Sequence, residues 1–310
     1  MVRTGAHVYS KFDFESTFGG DDSTKTKVFG LSEELSPITT TNNQIPLSQL
    51  NSIEVDQFAY GQDSKKVSLA FVLSSPWWLE LILNNRVDAG TSPYTHTYTG
   101  LKTVKSFAWE IGFASETSNT VRTLLGCCIN SATIRCSQND VIRCTADVVC
   151  GKEGTISTTL DSSPPSDSYD FPFTFVHGLI QLPSGTTIAQ VQSAEISIGQ
   201  NVTLVYGFNS KEAVGAFRGI LDITGRFNAA MVDKTQLQRV LDRTEVATLV
   251  LKFSNGLSGT SEKTITLTGT GVGISEQTYT AKGVDPVFED LTWQIRSLTA
   301  VATDNVATPP

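Results

Sequence analysis

Between Cys128 and Lys152 the apolar positions fall on every second residue. Ala132, Ile134 and Cys136 alternate with Ser131, Thr133 and Arg135; after a polar break at 137–140, Ile142, Cys144, Ala146, Val148 and Cys150 alternate with Arg143, Thr145 and Asp147. Period two with a single apolar face specifies two half-buried strands joined by a short polar turn. Residues 192–209 repeat the pattern: Ala194, Ile196 and Ile198 alternate with Ser193, Glu195 and Ser197, Gln200 and Asn201 make a turn, and Val202, Leu204, Tyr206 and Phe208 resume the apolar face. Both stretches share Ser-Ala-x-Ile-x-x-x-Gln-Asn, beginning at Ser131 and at Ser193. The chain is therefore expected to be built from repeated β units.

The remaining pattern extends this picture. Phe12, Phe14 and Phe18 mark a strand over 8–18, ended by Gly19 and Gly20. Residues 23–50, with Pro37 and Pro46, show no sustained period and read as part of a long loop at 19–50, which compact domains seldom keep without a function. Strand character returns at 52–60 and 66–73. Ser75 and Pro76 then open a short, very apolar helix over 77–83, expected to cover a sheet, with an exposed Trp77/Trp78 platform as the other possibility. After turn-rich residues 88–100, Phe107, Trp109, Ile111 and Phe113 share one face of a strand, and 121–128 lead into the first hairpin. Residues 151–170, rich in Gly, Ser, Asp and Pro, read as a linker.

The second half presents the same order: hairpin at 192–208, loop at 209–218, strand at 219–227, a helix over 234–241 capped by Asp233 with Gln236 at the capping-box position, then strands at 247–253, 263–270 and 287–298. Residues 107–113 correspond to 247–253, and 140–150 to 285–295, so a duplication is expected. The expected architecture is mainly β, with one domain over 1–155, a linker over 156–170, a second domain over 171–302 and a tail over 303–310, each domain carrying a short flanking α-helix.

Composition narrows the function. A chain of 310 residues exceeds the usual single core. Charged residues are only 17%, which suits sheets with polar, sparsely charged outer faces. A net charge of −8 with no Lys/Arg run is the wrong sign for gripping nucleic acid phosphates. The opening residues lack a signal-peptide core and nothing approaches a membrane span, so a soluble product of the cytoplasm is expected, with no membrane partner.

Candidate chemistry is sparse. The five cysteines lie between Cys127 and Cys150 with no Cys-x-x-Cys knuckle, and His7, His96 and His177 are scattered, so neither a zinc site nor a disulfide framework is expected. On the strand reading Cys136, Cys144 and Cys150 point into the core as small hydrophobes, and the thiols are expected to be reduced. There is no Gly-x-Ser-x-Gly elbow, no His-Glu-x-x-His and no phosphate loop; the glycines at 269, 271 and 273 open no helix. No enzyme, cofactor or metal is expected.

The run from Gly126 through Asn130 and Ser131 to Ile134, continued by Asn139 to Lys152, resembles the hairpin of phage tail tube proteins, which reads glycine, two or three residues, Asn-Ser, alternating strand, turn, alternating strand, Gly-Lys. Gln192 to Val202, then Tyr206 and Gly207, then Gly219 to Gly225, is similar to the opening hairpin and following strand of the same domain. Two tandem tail-tube-like β-sandwich/barrel domains would cover most of the chain. The resemblance implies sheets joined edge to edge into rings, stacked into a tube in the virion tail that conducts genome DNA during ejection. It also implies assembly in the host cytoplasm, with the tape measure, the tail terminator and the baseplate or tip as partners. Six domains around the lumen would make a ring of three chains, and an acidic lumen would let DNA slide. Ring-to-ring contacts are expected from the loops at 23–50 and 209–218: Lys25, Lys27, Phe29, Glu33, Glu34, Lys211, Glu212, Phe217 and Arg218. A tube subunit of a phage-like injection machine shares the fold. The reading from another class is a carbohydrate- or receptor-binding β-sandwich that stacks its ligand on Trp77, Trp78 and Trp109.

Overall fold

The computed structural model describes residues 8–21, 24–50, 53–115, 118–165, 172–188, 190–231, 234–281 and 287–307. In the first half the strands are β1 (Val8–Phe14), β2 (Leu31–Leu35), β3 (Thr39–Leu47), β4 (Gln57–Val72), β5 (Arg86–Ala89), β6 (Tyr94–Thr99), β7 (Phe107–Phe113), β8 (Thr120–Ser137) and β9 (Arg143–Glu153), with helix α1 (Leu79–Leu83) after β4. In the second half they are β10 (Leu179–Gln181), β11 (Val191–Gly199), β12 (Thr203–Tyr206), β13 (Ala213–Phe217), β14 (Asp222–Ala230), β15 (Val246–Ser254), β16 (Thr264–Thr280) and β17 (Phe288–Asp304), with α2 (Thr235–Asp242) after β14. The protein is mainly β, in large antiparallel sheets.

The alternating run at 128–152 forms the β8/β9 hairpin, with Ile134 opposite Cys144, Ala132 opposite Ala146 and Ile129 opposite Val148. All of these are buried, while Arg135 and Asp147 stay in water. Burying each Ile or Val here stabilises by roughly 1.5–3 kcal/mol. A slip of one residue would drive Arg135 and Asp147 into the core, so the register is strongly specified.

The neighbour order is the same in both halves: β1, β7, β8, β9, β4, β2 in the first and β10, β15, β16, β17, β14, β11 in the second. The β8/β9 and β16/β17 hairpins also share their irregularities. Gly126 (φ 59°) and Gly271 (φ 65°) are both left-handed, a conformation in which a Cβ would crowd the following carbonyl. Four residues beyond each glycine the long strand bulges: Asn130 is the extra residue between the pairs Ile129/Val148 and Ser131/Asp147, and Ser275 the extra one between Ile274/Trp293 and Glu276/Thr292.

The halves meet through two β ladders. Ser193–Gly199 of β11 pairs antiparallel with Ser131–Ser137 of β8, and Thr299–Asp304 of β17 pairs with Tyr94–Thr99 of β6. One hydrophobic cluster draws on both halves. Its aromatic centre stacks Phe12 on Phe29 at 4.2 Å, with Phe107 edge-on to both at 5.6 Å. Of the expected linker, Ser157 bridges to Val121 and Asp161 accepts from Lys11 Nζ at 2.7 Å; residues 166–171 lie outside the described residues. β17 runs two residues into the expected tail, where the Asp304 carboxylate meets buried His96 at 3.2 Å.

Several expectations are corrected. The loop at 19–50 contains β2 and β3, and β3 pairs with β4 from Thr39/Lys66 to Leu47/Gln57. The side chains of β3 are wet on both faces, so no hydrophobic period marks it. Residues 52–60 and 66–73 belong largely to one strand, β4, and 88–100 hold β5 and β6 instead of bare turns. Gln192 to Phe208 is not a hairpin: β11 pairs with β8 and β14, while β12 pairs with β13 inside the expected loop at 209–218. Phe208, expected on a buried face, is fully exposed. Trp78, not Ser75, is the N-cap of α1, and no side chain caps it. Asp233, the expected cap of α2, lies outside the described residues.

Candidate assembly surface

The β8–β11 ladder shows what an edge-to-edge junction requires in this fold. Ile196 faces Ile134 and Ile198 faces Ala132 on the buried side, so joining the sheets also continues the core. On the polar side Glu195 Oε2 accepts from Arg135 Nε at 3.0 Å and from Arg226 Nη2 at 3.3 Å, tying three strands together. At the end of the ladder Gln200, fully buried, donates from Nε2 to the carbonyls of Leu81 (2.8 Å) and Ile129 (3.0 Å). The bulged Asn130 completes the lock: its carbonyl accepts from Gln200 N at 2.8 Å and its Oδ1 from Val202 N at 3.0 Å. The bulge thus turns backbone polar groups, which the β8/β9 ladder leaves free, toward the incoming strand.

Several strand edges have no strand beside them among the described residues, among them the outer edges of β5 and of the β12/β13 pair, and two matter for the junction. One is the outer edge of β2 and β3, and the other is β16 beyond its bulge, Glu276–Thr280, which pairs only with β17. Open edges are templates for pairing with another chain.

The exposed apolar side chains concentrate on two arms. The β3/β4 arm carries Ile45, Leu47, Phe58 and Tyr60, and the β12/β13 arm carries Val214 and Phe217 with Phe208 at the turn between them. The arms touch: Asp63 N donates to the Lys211 carbonyl at 2.9 Å, and Tyr206 Oη donates to the Asp63 carbonyl at 2.8 Å. Apolar side chains left in water on projecting arms mark a contact surface.

The expected contact residues divide between surface and core. Phe29 is buried against Phe12, and buried Lys27 pairs with Asp13 at 2.6 Å; buried Lys25 pairs with Asp21. Phe29 and Lys27 tie the loop to β1 while Lys25 pairs within the loop, and all three, being buried, are withdrawn from the contact set. Glu33 is engaged by Arg143 Nε at 2.7 Å, and hydrogen bonds to Asp140 and Glu33 raise the Arg143 pKa. Arg143 in turn pulls the Asp140 carboxyl below its ordinary range. Glu34 is exposed on the β2 edge. Lys211 and Glu212 sit where the arms touch, and Phe217 is exposed on β13. Arg218 donates to the Leu101 carbonyl at 2.5 Å, and burial lowers its pKa. Sequence reasoning missed the apolar residues of β3 and β4 and the β16 edge; isolated apolar residues in a polar stretch carry no period.

All five cysteines are free and buried. Burial pushes the thiols of Cys127, Cys128 and Cys144 well up, and that of Cys136 up to about 11. Trp78 and Trp109 are fully buried and Trp77 is half-buried against His96, so these three side chains do not form an exposed stacking platform. Among the described residues no cluster of three or more His, Cys, Asp or Glu could hold a metal, and no helix is long and apolar enough to cross a membrane.

A family model described as phage tail tube protein matches residues 5–295. The chain belongs to the phage tail tube protein family. No curated protein matches it. Membership in that family makes it a structural component of the virion tail that assembles with copies of itself and with other tail proteins.

Proposed function

We propose that this tail tube protein polymerises into stacked rings that conduct genome DNA during ejection, and that each ring contains three chains. The observation that carries the reading is the β8–β11 ladder, which joins two sheets of the same strand order edge to edge within one chain. The shared neighbour order and shared bulges support a duplicated unit, with domains over 1–155 and 171–302. Two units per chain reach six around the lumen with three chains, in a ring that is truly threefold and only approximately sixfold.

The lumen is lined by the polar face of the continuous β4-β9-β8-β11-β14-β17 sheet. On this face the arginines are paired, Arg135 and Arg226 sharing Glu195 and Arg143 held by Glu33 and Asp140, while the exposed Asp147, Asp222 and Asp290 bond to neutral side chains and keep the face acidic. Guanidinium groups already engaged by carboxylates release no counterions from passing DNA, so drag stays low. The apolar arms make the ring-to-ring contacts, and the tape measure, terminator and baseplate or tip bind the finished tube after assembly in the host cytoplasm.

Electron microscopy of the purified protein tests the reading. Averages viewed down the tube without imposed symmetry should show alternating unlike lobes. Six full-length chains per ring, or a folded monomer that persists at high concentration, would overturn it. In the same preparation a Phe58→Ser/Tyr60→Ser double variant should leave discrete rings that no longer lengthen; normal tubes would move stacking away from the β3/β4 arm.

A further inference from the structure

We propose that the junction between neighbouring chains copies the junction inside the chain, with the edge Glu34–Asn42 of one copy pairing antiparallel with Glu276–Thr280 of the next. This rests on the ring reading above and assigns the partner of two of its open edges, a second copy of this chain. The shared irregularities fix the correspondence residue by residue. Gly126 matches Gly271 and the Asn130 bulge matches the Ser275 bulge, so the cross-strand pair Cys127/Cys150 matches Val272/Ile295 and Ser131/Asp147 matches Glu276/Thr292. Counting on, Ala132 matches Gln277 and Ile134 matches Tyr279.

The second edge follows from the same anchor. Cys150 pairs with Lys65 of β4 and Ile295 with Ile223 of β14, so Lys65 matches Ile223. The residue beside Ile223 is Ile198 of β11, and the residue beside Lys65 is Thr40 of β3. Likewise Ala194 lies beside Phe227 as Leu35 lies beside Leu69. The strand that corresponds to β11 is therefore the path through β2 into β3.

Inside the chain the β11 edge meets β8 just past the Asn130 bulge; the matching stretch of β16, just past Ser275, has no strand on that edge among the described residues. The local chemistry points to an incoming strand. Two residues beyond Ile198 comes Gln200, whose side-chain amide donates to the Ile129 carbonyl beside the bulge and to the Leu81 carbonyl of α1; two residues beyond Thr40 comes Asn42, also an amide and exposed. α2 packs beside β16 as α1 packs beside β8. Gln277 Oε1 is buried with no partner among the described residues, and the ring of Tyr279 stands in water on the edge.

Pairing supplies partners to backbone groups that otherwise leave the fold open to indiscriminate strand addition. The contact is heterologous, since one patch meets a different patch, and repetition closes it into a ring. Pro37 lies within the β2/β3 path and contributes no N–H, so this ladder has fewer bonds than the internal one.

The pairing predicts that Thr40 and Gln277 of adjacent copies lie side by side, as Ile198 and Ala132 do within the chain. The test uses the full chain with Thr40→Cys and Gln277→Cys together, assembled and treated with a short bis-maleimide; the buried native thiols stay unreacted while the fold holds. Expected is a denaturing-gel ladder that ends at three linked chains, with linked peptides containing positions 40 and 277, while either single variant stays monomeric. Micrographs of the same sample separate the two readings. Rings without the 40–277 link would overturn this edge assignment and leave the tube reading intact. A ladder that runs past three chains would replace the closed ring by an open filament and overturn it too. Absence of any assembly would remove both.

Discussion

The β8/β9 and β16/β17 hairpins have one backbone and two different fates. Each bends at a left-handed glycine and bulges four residues later. Their side chains differ: the inward pair Cys127/Cys150 stands where the other has Val272/Ile295, and Ile129/Val148 where the other has Ile274/Trp293. One hairpin holds β11 against its edge, locked by Gln200 and clamped by Glu195, while the other ends in exposed Tyr279 with no such clamp. What the two share is irregular backbone, and what distinguishes them is whether the edge is filled. Cores tolerate exchange of apolar side chains of similar volume, but a bulge sets where backbone donors and acceptors point, which no exchange of side chains replaces.

The widest separation between the hairpins is expected at matched positions past the bulge. Ile134→Ala empties a fully packed site beneath β11 and should cost about 2–5 kcal/mol, read as a lower urea midpoint. Tyr279→Ala, at the matching position, should change stability by under about 0.5 kcal/mol while weakening ring formation, read by sedimentation. Equal destabilisation by the two would mean that the edge of β16 is already covered.

A smaller effect tests the shared bend. Alanine at either left-handed glycine should cost about 1–2 kcal/mol from backbone strain alone. Gly126→Ala should be the worse of the two. Its Cβ would lie 2.7 Å from the Phe18 ring, whereas that of Gly271→Ala would meet the Arg296 chain at 2.8 Å, and a flexible exposed arginine can move aside. Thermal unfolding of both variants checks the order; a larger loss at Gly271 would show that side-chain crowding does not decide it.

The smallest effect concerns pH and belongs to the first hairpin alone. Burial raises the thiols of Cys127, Cys128, Cys136 and Cys144 above their unfolded value near ~8.5. The fold therefore favours the neutral thiols. Their contribution is complete below the unfolded pKa and declines as the pH climbs above it, since unfolding releases protons there. Hydrogen exchange should speed up in β8 and β9 before β16 and β17 as pH is raised from 8 to about 11, the value reached by Cys136. Simultaneous loosening of both hairpins would show that the thiols are not its cause. At pH 8 a thiol reagent should label the cysteines only after denaturation.

Much of this architecture is readable from the chain itself. Alternation at 128–152 marks the β8/β9 hairpin, the periods at 107–113 and 247–253 mark β7 and β15, and the offsets relating 107–113 to 247–253 and 140–150 to 285–295 agree with the matched bulges. The apolar run after Pro76 marks α1, observed at Leu79–Leu83, and alternation turns Cys136, Cys144 and Cys150 inward. Of the residues expected at ring-to-ring contacts, Glu33, Glu34, Lys211 and Phe217 are exposed. Phe29 and Lys27, polar-loop residues by neighbourhood, are buried, because Lys27 bridges to Phe12 of β1 and Phe29 stacks on the Phe12 ring.

What the amino-acid sequence determined by itself is the alternation of each half-buried strand, hence which face of β8, β9, β11, β15 and β17 turns inward. Tertiary structure alone decided the partners: that β11 leaves the expected hairpin to lie on β8, that polar β3 becomes an arm on β4, and that β16 runs past its bulge with an open edge. The physical reason is a division of labour. Side chains report burial through their period, whereas neighbouring strands are joined by N–H and C=O groups that every residue except proline carries alike.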